Sequence, residues 1–497
     1  MPSLGSDITS TIPVWAVLAP FIAACTIYIV SYIPCLKGAR DHLVITGTST
    51  PLLLAAIIYP AVASGKIYFK HFNILPPVGL AFRIDKLGIF MGLLFSFFAL
   101  VIAVYMLSYF RGKENTTRFY IFFLLAAAGC LGVVFSGNMF TLFLFFEFMS
   151  LMFFALVAQE ATSKAYAASM KFFFMTIIAG VSLFWAISII YRVTGNLDFG
   201  TGSPVVIGSP LLLTAFICYL IGFGIKAALV PLHLWMPDAY AACPIPAAAL
   251  SSMIMLKTGV YGLIRVFYDL YGPDFIRGNG WQQIILALAA FSIIYGSMCA
   301  LVQDDLIRRL AYSGIAQVSY IILGLAMLSE NAFTGLLYHI MAHAFMKGCL
   351  FLCAGAIIMQ TGKRKISELG GVGLEMPLVM IAFTIAGISA VGIPPFNVFI
   401  SKWYLSLGAL DIQQPLIIVL LLVSSIMNAA YYLPISITAF FGSHKRSIPS
   451  PEGNTVERIG PEVTLPIIIL ALGAFIFTLA PQNWPLNLIK DIAQNIF

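Results

Sequence analysis

The chain reads as a succession of long apolar runs joined by short polar connections. Fourteen runs stand out, at approximately 12–33, 43–64, 87–109, 119–136, 139–158, 166–191, 211–235, 243–267, 282–302, 310–328, 333–360, 376–405, 414–441 and 463–481. Each is close to the roughly 20 apolar residues that an α-helix needs to cross a bilayer. The pattern therefore predicts an all-α polytopic membrane protein with about 14 transmembrane helices. No large polar domain interrupts them. The longest polar stretch, at about 443–462, reads as a loop with Pro449 and Pro451.

Two of the runs are predicted to be broken. IKAALVPLHLWMP carries Pro231 in mid-run, and ISAVGIPPFNVFISKW carries Gly392, Pro394 and Pro395. Proline removes a backbone donor and kinks a helix. In lipid such a break survives only where it packs on protein or lines a cavity. Paired breaks in two halves point to a transport site at the membrane midplane. A second echo supports a repeat: MKFFFMTIIAG from Met170 and MKGCLFLCAG from Met346 each lie one helix upstream of a break. The reading is a three-helix segment at 1–118, a five-helix repeat at 119–267, a second at 282–441, and a C-terminal helix and tail at 442–497. Five is odd, so the two repeats are expected to be inverted, each containing one broken helix.

Composition agrees. Of 497 residues, 61% are hydrophobic and only 9% charged, against about a quarter charged in soluble domains. That excludes a soluble enzyme, a disordered chain and a nucleic-acid binder; the net charge of +7 is spread between apolar runs. The first thirteen residues hold no Lys or Arg, so the start does not read as a cleavable signal. Of 27 Lys and Arg, six sit within helices. If the N-terminus is outside, fourteen of the rest fall on cytoplasmic connections, among them Lys37, Arg40, Arg308, Arg364, Lys445 and Arg446, and seven on external ones. The excess predicts both termini outside in a multi-pass protein of the cell (inner) membrane. Loop 65–86, with Lys66, Lys70, Arg83 and Lys86, runs against the rule. The eight cysteines show no CxxC spacing and read as small buried apolar residues, not as metal or iron–sulfur ligands.

Among twenty acidic residues only Glu147 lies deep in an apolar run, within TLFLFFEFMSLMFFALV. A carboxylate at that depth costs several kcal/mol unless it finds a cation, water or a proton. Either a buried ion pair that fastens helices or a titrating proton carrier meets that demand, and the second is preferred. Lys226 lies five residues before Pro231, and Lys257, Lys347 and Lys402 lie in later helices. Burial makes a lysine release its proton far more readily than an arginine. Lys171, nearer the start of its helix, and Arg265, close to a helix end, are within snorkelling reach of a surface. YHIMAHAFMKG places His339, His343 and Lys347 at four-residue steps on one helix face. No HExxH pattern makes them a metal site, whereas a line of titratable groups explains all three. His233 follows Pro231 and is placed to connect the two parts of the broken helix.

At these residues the sequence resembles the antiporter-like subunits of respiratory complex I, Mrp-type Na+/H+ antiporters and the membrane arms of energy-converting hydrogenases. The motifs are KAALVPLHLWMPDAYAACP, SSMIMLKTGVYGLIR, LIRRLAYSGIAQVSY, HIMAHAFMKGCLFLCAG, GIPPFNVFISKW and FEFMSL, spread over about 85–440. The resemblance implies that Glu147 is the carboxylate of a Glu–Lys pair with Lys226, that Lys257 is the central relay lysine, that His339, His343 and Lys347 form the relay of the second half, and that Lys402 faces the exit. Three positions depart from the family pattern. Tyr240 stands where histidine is usual, Ile307 where lysine is, and Val398 where glycine is; the first two are expected near the surface, clear of the charge row. The chain resembles the medium-sized members, and FEFMSL resembles the hydrogenase and complex I relatives more than Mrp antiporters.

The function expected is a proton-translocating subunit, with Na+/H+ exchange left open, in a multisubunit redox-driven complex of the complex I or energy-converting hydrogenase type. It is expected to be non-catalytic itself, without cofactor, metal or redox centre, and to have other membrane subunits and the lipid bilayer as partners. The alternatives are the large subunit of an Mrp-type Na+/H+ antiporter, a self-standing transporter, and an intramembrane lipid or quinone enzyme. A self-standing cation carrier meets repulsion from the lysine row. An enzyme needs a cluster such as paired carboxylates, and only one intramembrane acid exists.

Overall fold

The computed structural model describes residues 7–36, 38–74, 78–113, 115–200, 209–442, 460–479 and 484–497. Lys37, Lys445, Arg446 and most of the 443–462 loop lie outside the described residues.

Twelve helices are long and apolar enough to cross a membrane. They are α1 (Ile12–Ser31), α2 (Ala39–Ala63), α3 (Lys86–Tyr109), α4 (Thr116–Val134), α5 (Met139–Glu160), α6 (Ser163–Thr194), α9 (Ile245–Tyr271), α10 (Trp281–Val302), α11 (Leu306–Met327), α12 (Glu330–Thr361), α15 (Leu416–Phe441) and α16 (Pro461–Leu479). Two shorter apolar helices, α7 (Pro210–Lys226) and α13 (Pro377–Val391), each stop at a break, and the chain continues as α8 (Met236–Ala242) and α14 (Asn397–Asp411). Counting each broken pair as one crossing accounts for all fourteen predicted runs.

Several helices begin earlier than their apolar runs, at 163, 306 and 330 instead of 166, 310 and 333. The reason is capping: Thr162, Asp305 and Ser329 accept the Ala165, Arg308 and Ala332 amides at 3.1, 2.9 and 3.1 Å. A polar cap lies outside the hydrophobic signal yet satisfies a backbone donor that the first turn leaves free.

Both breaks leave backbone groups that cannot be left bare in lipid, and side chains meet them. At the first, Trp235 Nε1 donates to the Ile225 carbonyl at 2.8 Å and the Val230 amide donates to Ser292 Oγ at 3.2 Å. At the second, Asn428 Nδ2 donates to the Ala390 carbonyl at 3.0 Å and Lys402 Nζ to the Val391 carbonyl at 2.9 Å.

Burial sorts the helices into layers. The apolar stretches of α9 and α12 are wholly enclosed by protein, whereas α1, α2, α10, α15 and α16 keep wide apolar faces outward. The 32-residue α12 packs on α11, α14, α13 and α16, so it is the axis of the second half. The cysteines divide in the same way. Cys130, Cys243, Cys349 and Cys353 are buried, but Cys25 and Cys35 are exposed, because α1 is peripheral and an apolar thiol needs no protein cover where lipid supplies it.

Two features escape the hydrophobic pattern. A three-stranded sheet joins β1 (Asp7–Thr9), β2 (Ile67–Phe72) and β3 (Leu80–Ile84), with β1 parallel and β3 antiparallel to β2. A final amphipathic helix, α17 (Leu486–Ile496), buries Leu488, Ile489 and Ile492 against α12 and α3. Two of the four basic residues of loop 65–86 are tied into the protein: Arg83 Nη1 donates to the Phe199 carbonyl at 2.6 Å, and Lys86 pairs with Asp491.

Gly259 lets α9 pack closely on the end of α7 at the first break. A Cβ there would lie 2.8 Å from both the Phe223 carbonyl oxygen and the Ala227 amide, and 3.1 Å from Lys226 Cβ. Gly259→Ala is expected to destabilise the protein by about 1–3 kcal/mol through overpacking, read as a lower unfolding temperature in detergent. An unchanged melting curve would mean that the two segments are not in contact.

Candidate functional site

The central contact is between α9 and α12. Lys257 Nζ lies 2.6 Å from His343 Nδ1 and donates to the Ser252 carbonyl. Lys257 and His343 are both fully buried. The local backbone explains the first partner. Ser251–Met255 is a π-helical turn within α9, and such turns release carbonyls from the regular i→i−4 ladder. Ser252 thereby offers an acceptor to an amine buried from the protein surface.

From His343 the groups continue along α12. The rings of His339 and His343 lie 6.2 Å apart, and His339 Nδ1 is 2.8 Å from Ser401 Oγ. Tyr320 of α11 stands between His339 and Lys402, its ring centroid 5.4 Å from the histidine ring and 5.1 Å from Lys402 Nζ. Lys402 Nζ also donates to Ser425 Oγ at 2.7 Å. The ammonium therefore rests on the carbonyl end of α13, the negative pole of that helix. Lys347 points to α11, where it donates to the Leu310 carbonyl at 2.8 Å and to Ser313 Oγ. Tyr432 OH donates to the same hydroxyl at 3.0 Å.

The first-half groups are less tightly joined. Lys226, the last residue of α7, is buried between the Phe172 and Phe146 rings at 4.7 and 5.3 Å from their centroids. Glu147 of α5 packs on Gly180, where a Cβ would lie 2.9 Å from the carboxyl carbon. Each sits in the other's electrostatic field. No ion pair closes between them, however, and among the described residues Glu147 Oε1 and Lys226 Nζ lack a hydrogen-bond partner. His233 is buried beside Tyr295, ring centroids 5.1 Å apart, with Nδ1 unpartnered among the described residues.

Lys171 lies at the rim where α6 begins, its side chain 43% exposed and paired with Asp238 at 2.8 Å. Three expectations need correction. Arg265 does not snorkel. It is buried and forms ion pairs of 2.8 Å with both Asp85 and Asp269, while its guanidinium also donates to Tyr261 OH. Asp85 caps α3 and Asp269 lies one turn along α9, so two carboxylates converge on one cation. Tyr240 and Ile307 are buried, not superficial. Tyr240 OH donates to Ser251 Oγ at 2.9 Å, which places this departure from the family pattern against the π-helical turn that holds Lys257.

Sequence reasoning also misses the connecting hydroxyls: Ser401, Ser425, Ser313, Tyr320 and Tyr432. Serine and tyrosine are common on apolar helices, so nothing in their spacing marks them.

The family model described as NADH:quinone oxidoreductase/Mrp antiporter, TM, matches residues 136–428. The chain belongs to this family. Among its relatives, NADH-quinone oxidoreductase subunit N of Desulforudis audaxviator is 34% identical over 434 residues, covering 84% of this chain and 85% of that protein. A Na(+)/H(+) antiporter subunit of Alkalihalophilus pseudofirmus is 28% identical over 464 residues, 92% of each. The fold matches a chain of the membrane-bound sulfane sulfur reductase, an archaeal respiratory membrane complex, with a TM-score of 0.87, 25% identity and 98% of each chain covered. The matched region of the family includes both breaks and every residue from Glu147 to Lys402 discussed above.

Arg265→Leu should leave Asp269 without its ion-pair partner and Asp85 with only the looser 3.9 Å contact to Arg83. Breaking a buried pair in this way costs about 3–5 kcal/mol, so the variant should accumulate poorly and unfold earlier in detergent, with Asp85→Asn milder. Wild-type levels and melting for Arg265→Leu would show that the cluster contributes no net stability.

Proposed function

We propose that the protein is a proton-translocating membrane subunit of a multisubunit redox-driven complex, and that Glu147, Lys226, Lys257, His339, His343, Lys347 and Lys402 carry the proton. The observation that carries the reading is the 2.6 Å contact between Lys257 and His343. It joins two groups that can each hold or release a proton, one on α9 and one on α12, at the meeting of the two halves. A charged Lys257 donates to the imidazole nitrogen. After transfer, the same nitrogen carries the proton and the amine accepts. His339, Ser401, Tyr320 and Lys402 then extend the line. Lys347, one turn beyond His343 on α12 and held by Ser313 and the Leu310 carbonyl, is the branch of the line toward α11. His233 supports the first break at Pro231, as Pro394 and Pro395 make the second; Lys171 acts at the rim.

The gap between Glu147 and Lys226 fits a pair that opens and closes during turnover. A permanently closed ion pair would hold its proton; an open one leaves both groups ready to change charge. We further propose that residues 119–267 and 282–441 are inverted five-helix units, after a three-helix segment at 1–118 and before a tail at 442–497. Their support is the matching position of the two breaks and the echo at Met170 and Met346. The basic-residue excess supports both termini outside in a bacterial-type cell membrane. The partners are other membrane subunits, as in the respiratory and antiporter complexes of the relatives. The match to a Na(+)/H(+) antiporter subunit over 92% of each chain favours one second reading, an Mrp-type antiporter, in which Na+ gradients replace a redox donor.

Lys257→Met, close in length and unable to carry a proton, should leave the complex assembled and its driving reaction partly active but uncoupled from translocation. Glu147→Gln should likewise assemble and lose most pumping, whereas Lys226→Arg should keep the charge and translocate poorly because arginine hardly releases a proton. Proton uptake into vesicles, against subunit levels, reads all three. Wild-type coupling in Lys257→Met would remove the centre of the relay, and dependence of uptake on Na+ would favour the antiporter.

A further inference from the structure

At the end of the bundle where α6 and α11 begin, an open cavity of about 620 Å³ is lined by Lys164, Lys171, Arg308 and Arg364 together with Asp238 and Asp305. Four cations thus face two carboxylates. Lys171 and Arg308 share Asp238, each at 2.8 Å, and Arg364 takes Asp305 at 2.6 Å. Lys164 has no ion pair among the described residues. The pairs are partly open: the Lys171, Arg308 and Arg364 side chains are 43%, 40% and 42% exposed. Arg308 therefore keeps donors free beyond its carboxylate bond, and Arg364, whose Nη2 also donates to the Ala241 carbonyl, keeps those of Nη1. The floor is made of small residues such as Ala167 and Ala241, so the backbone leaves room for a bulky anion.

An apolar track leads away from this cavity. Met170 and Phe174 are 42% and 59% exposed. They lie three residues beyond the cavity-lining Ala167 and Lys171, on the adjoining face of α6 toward mid-span. A soluble anion uses the charges but gains nothing from this track. We propose that the cavity binds the phosphate headgroup of an anionic glycerophospholipid, with an acyl chain lying along Met170 and Phe174. Basic pockets between membrane helices suit such headgroups, and a lipid of one or two negative charges matches the surplus of two cations.

The test uses the intact membrane complex in detergent after lipid removal. Unfolding temperature is followed as phosphatidylglycerol, cardiolipin, phosphatidylcholine or inorganic phosphate is added, and bound lipid is counted by native mass spectrometry. Anionic lipid should raise the unfolding temperature, phosphatidylcholine should not, and inorganic phosphate at equal concentration should have little effect. Lys164→Gln with Arg308→Gln should raise the anionic lipid concentration needed by about tenfold or more, since each basic group contributes to headgroup attraction. Met170→Ser, which leaves every cation in place, should weaken lipid binding while leaving any phosphate response unchanged. Equal stabilisation by phosphatidylcholine, or an unchanged response in the double variant, overturns the proposal. Stabilisation by inorganic phosphate as strong as by lipid makes this a free-anion site and also overturns it. A complex that retains no lipid here because a partner's acidic side chain fills the cavity overturns it too, and unaltered proton translocation in the double variant keeps this outcome separate from the relay.

Discussion

The requirement on which everything else in this protein depends is that amines and imidazoles be kept in a space with no bulk water. Lys257 shows how it is met. Its amine is held by one backbone carbonyl and one imidazole nitrogen. The carbonyl is available because α9 is wound as a π-helix at Ser251–Met255. That winding in turn rests on neighbours: Tyr240 holds Ser251, and Gly259 lets α9 approach the first break. A regular helix at this point would keep Ser252 within its own ladder and leave the lysine unsatisfied. The irregular backbone is thus a condition for having a central lysine at all.

The same logic governs the two breaks. A helix that stops in the membrane exposes carbonyls, which is costly in lipid but useful to a cation. The second break uses this directly, since Val391 receives the Lys402 amine. The first break places Lys226 as the last helical residue of α7, between two aromatic faces instead of on a carboxylate. Ring faces attract an ammonium without fixing its direction. The contrast separates a lysine held at one end of the proposed line from one whose amine has no hydrogen-bond partner among the described residues at the other.

Much of the fold can be read from the sequence because lipid enforces one rule everywhere: apolar runs of helix-crossing length. Both breaks are visible because proline marks them. The buried lysines and histidines are visible because charge is rare in such runs. What escapes follows no rule of hydropathy. The β-strands and α17 contain no apolar run of crossing length, and the hydroxyls that join the buried lysines and histidines look like ordinary residues of an apolar helix. Tyr240 and Ile307 adjoin polar motifs, which suggests a superficial position, yet both are buried. Arg265 is the more instructive case. Its partners, Asp85 and Asp269, lie 180 positions before it and four after it, and neither stands deep in an apolar run. Burial of the three together is a tertiary event that no local window contains.

That cluster bears on how protons are confined. Lys257, Tyr261, Arg265 and Asp269 follow one another at four-residue steps along α9, so they share a face. A continuous polar face would offer a path from the central lysine to the end of the bundle. Two features of the structure work against it. Tyr261 donates its hydroxyl proton to the Val134 carbonyl and accepts from Arg265, and Arg265 is committed to two carboxylates. An arginine hardly gives up its proton, so the face ends in a group that conducts charge poorly. His343 lies on the other side of Lys257 with no such barrier. In the proposed relay, the direction of transfer then follows from which neighbour of the central lysine can take a proton: the imidazole can and the guanidinium cannot.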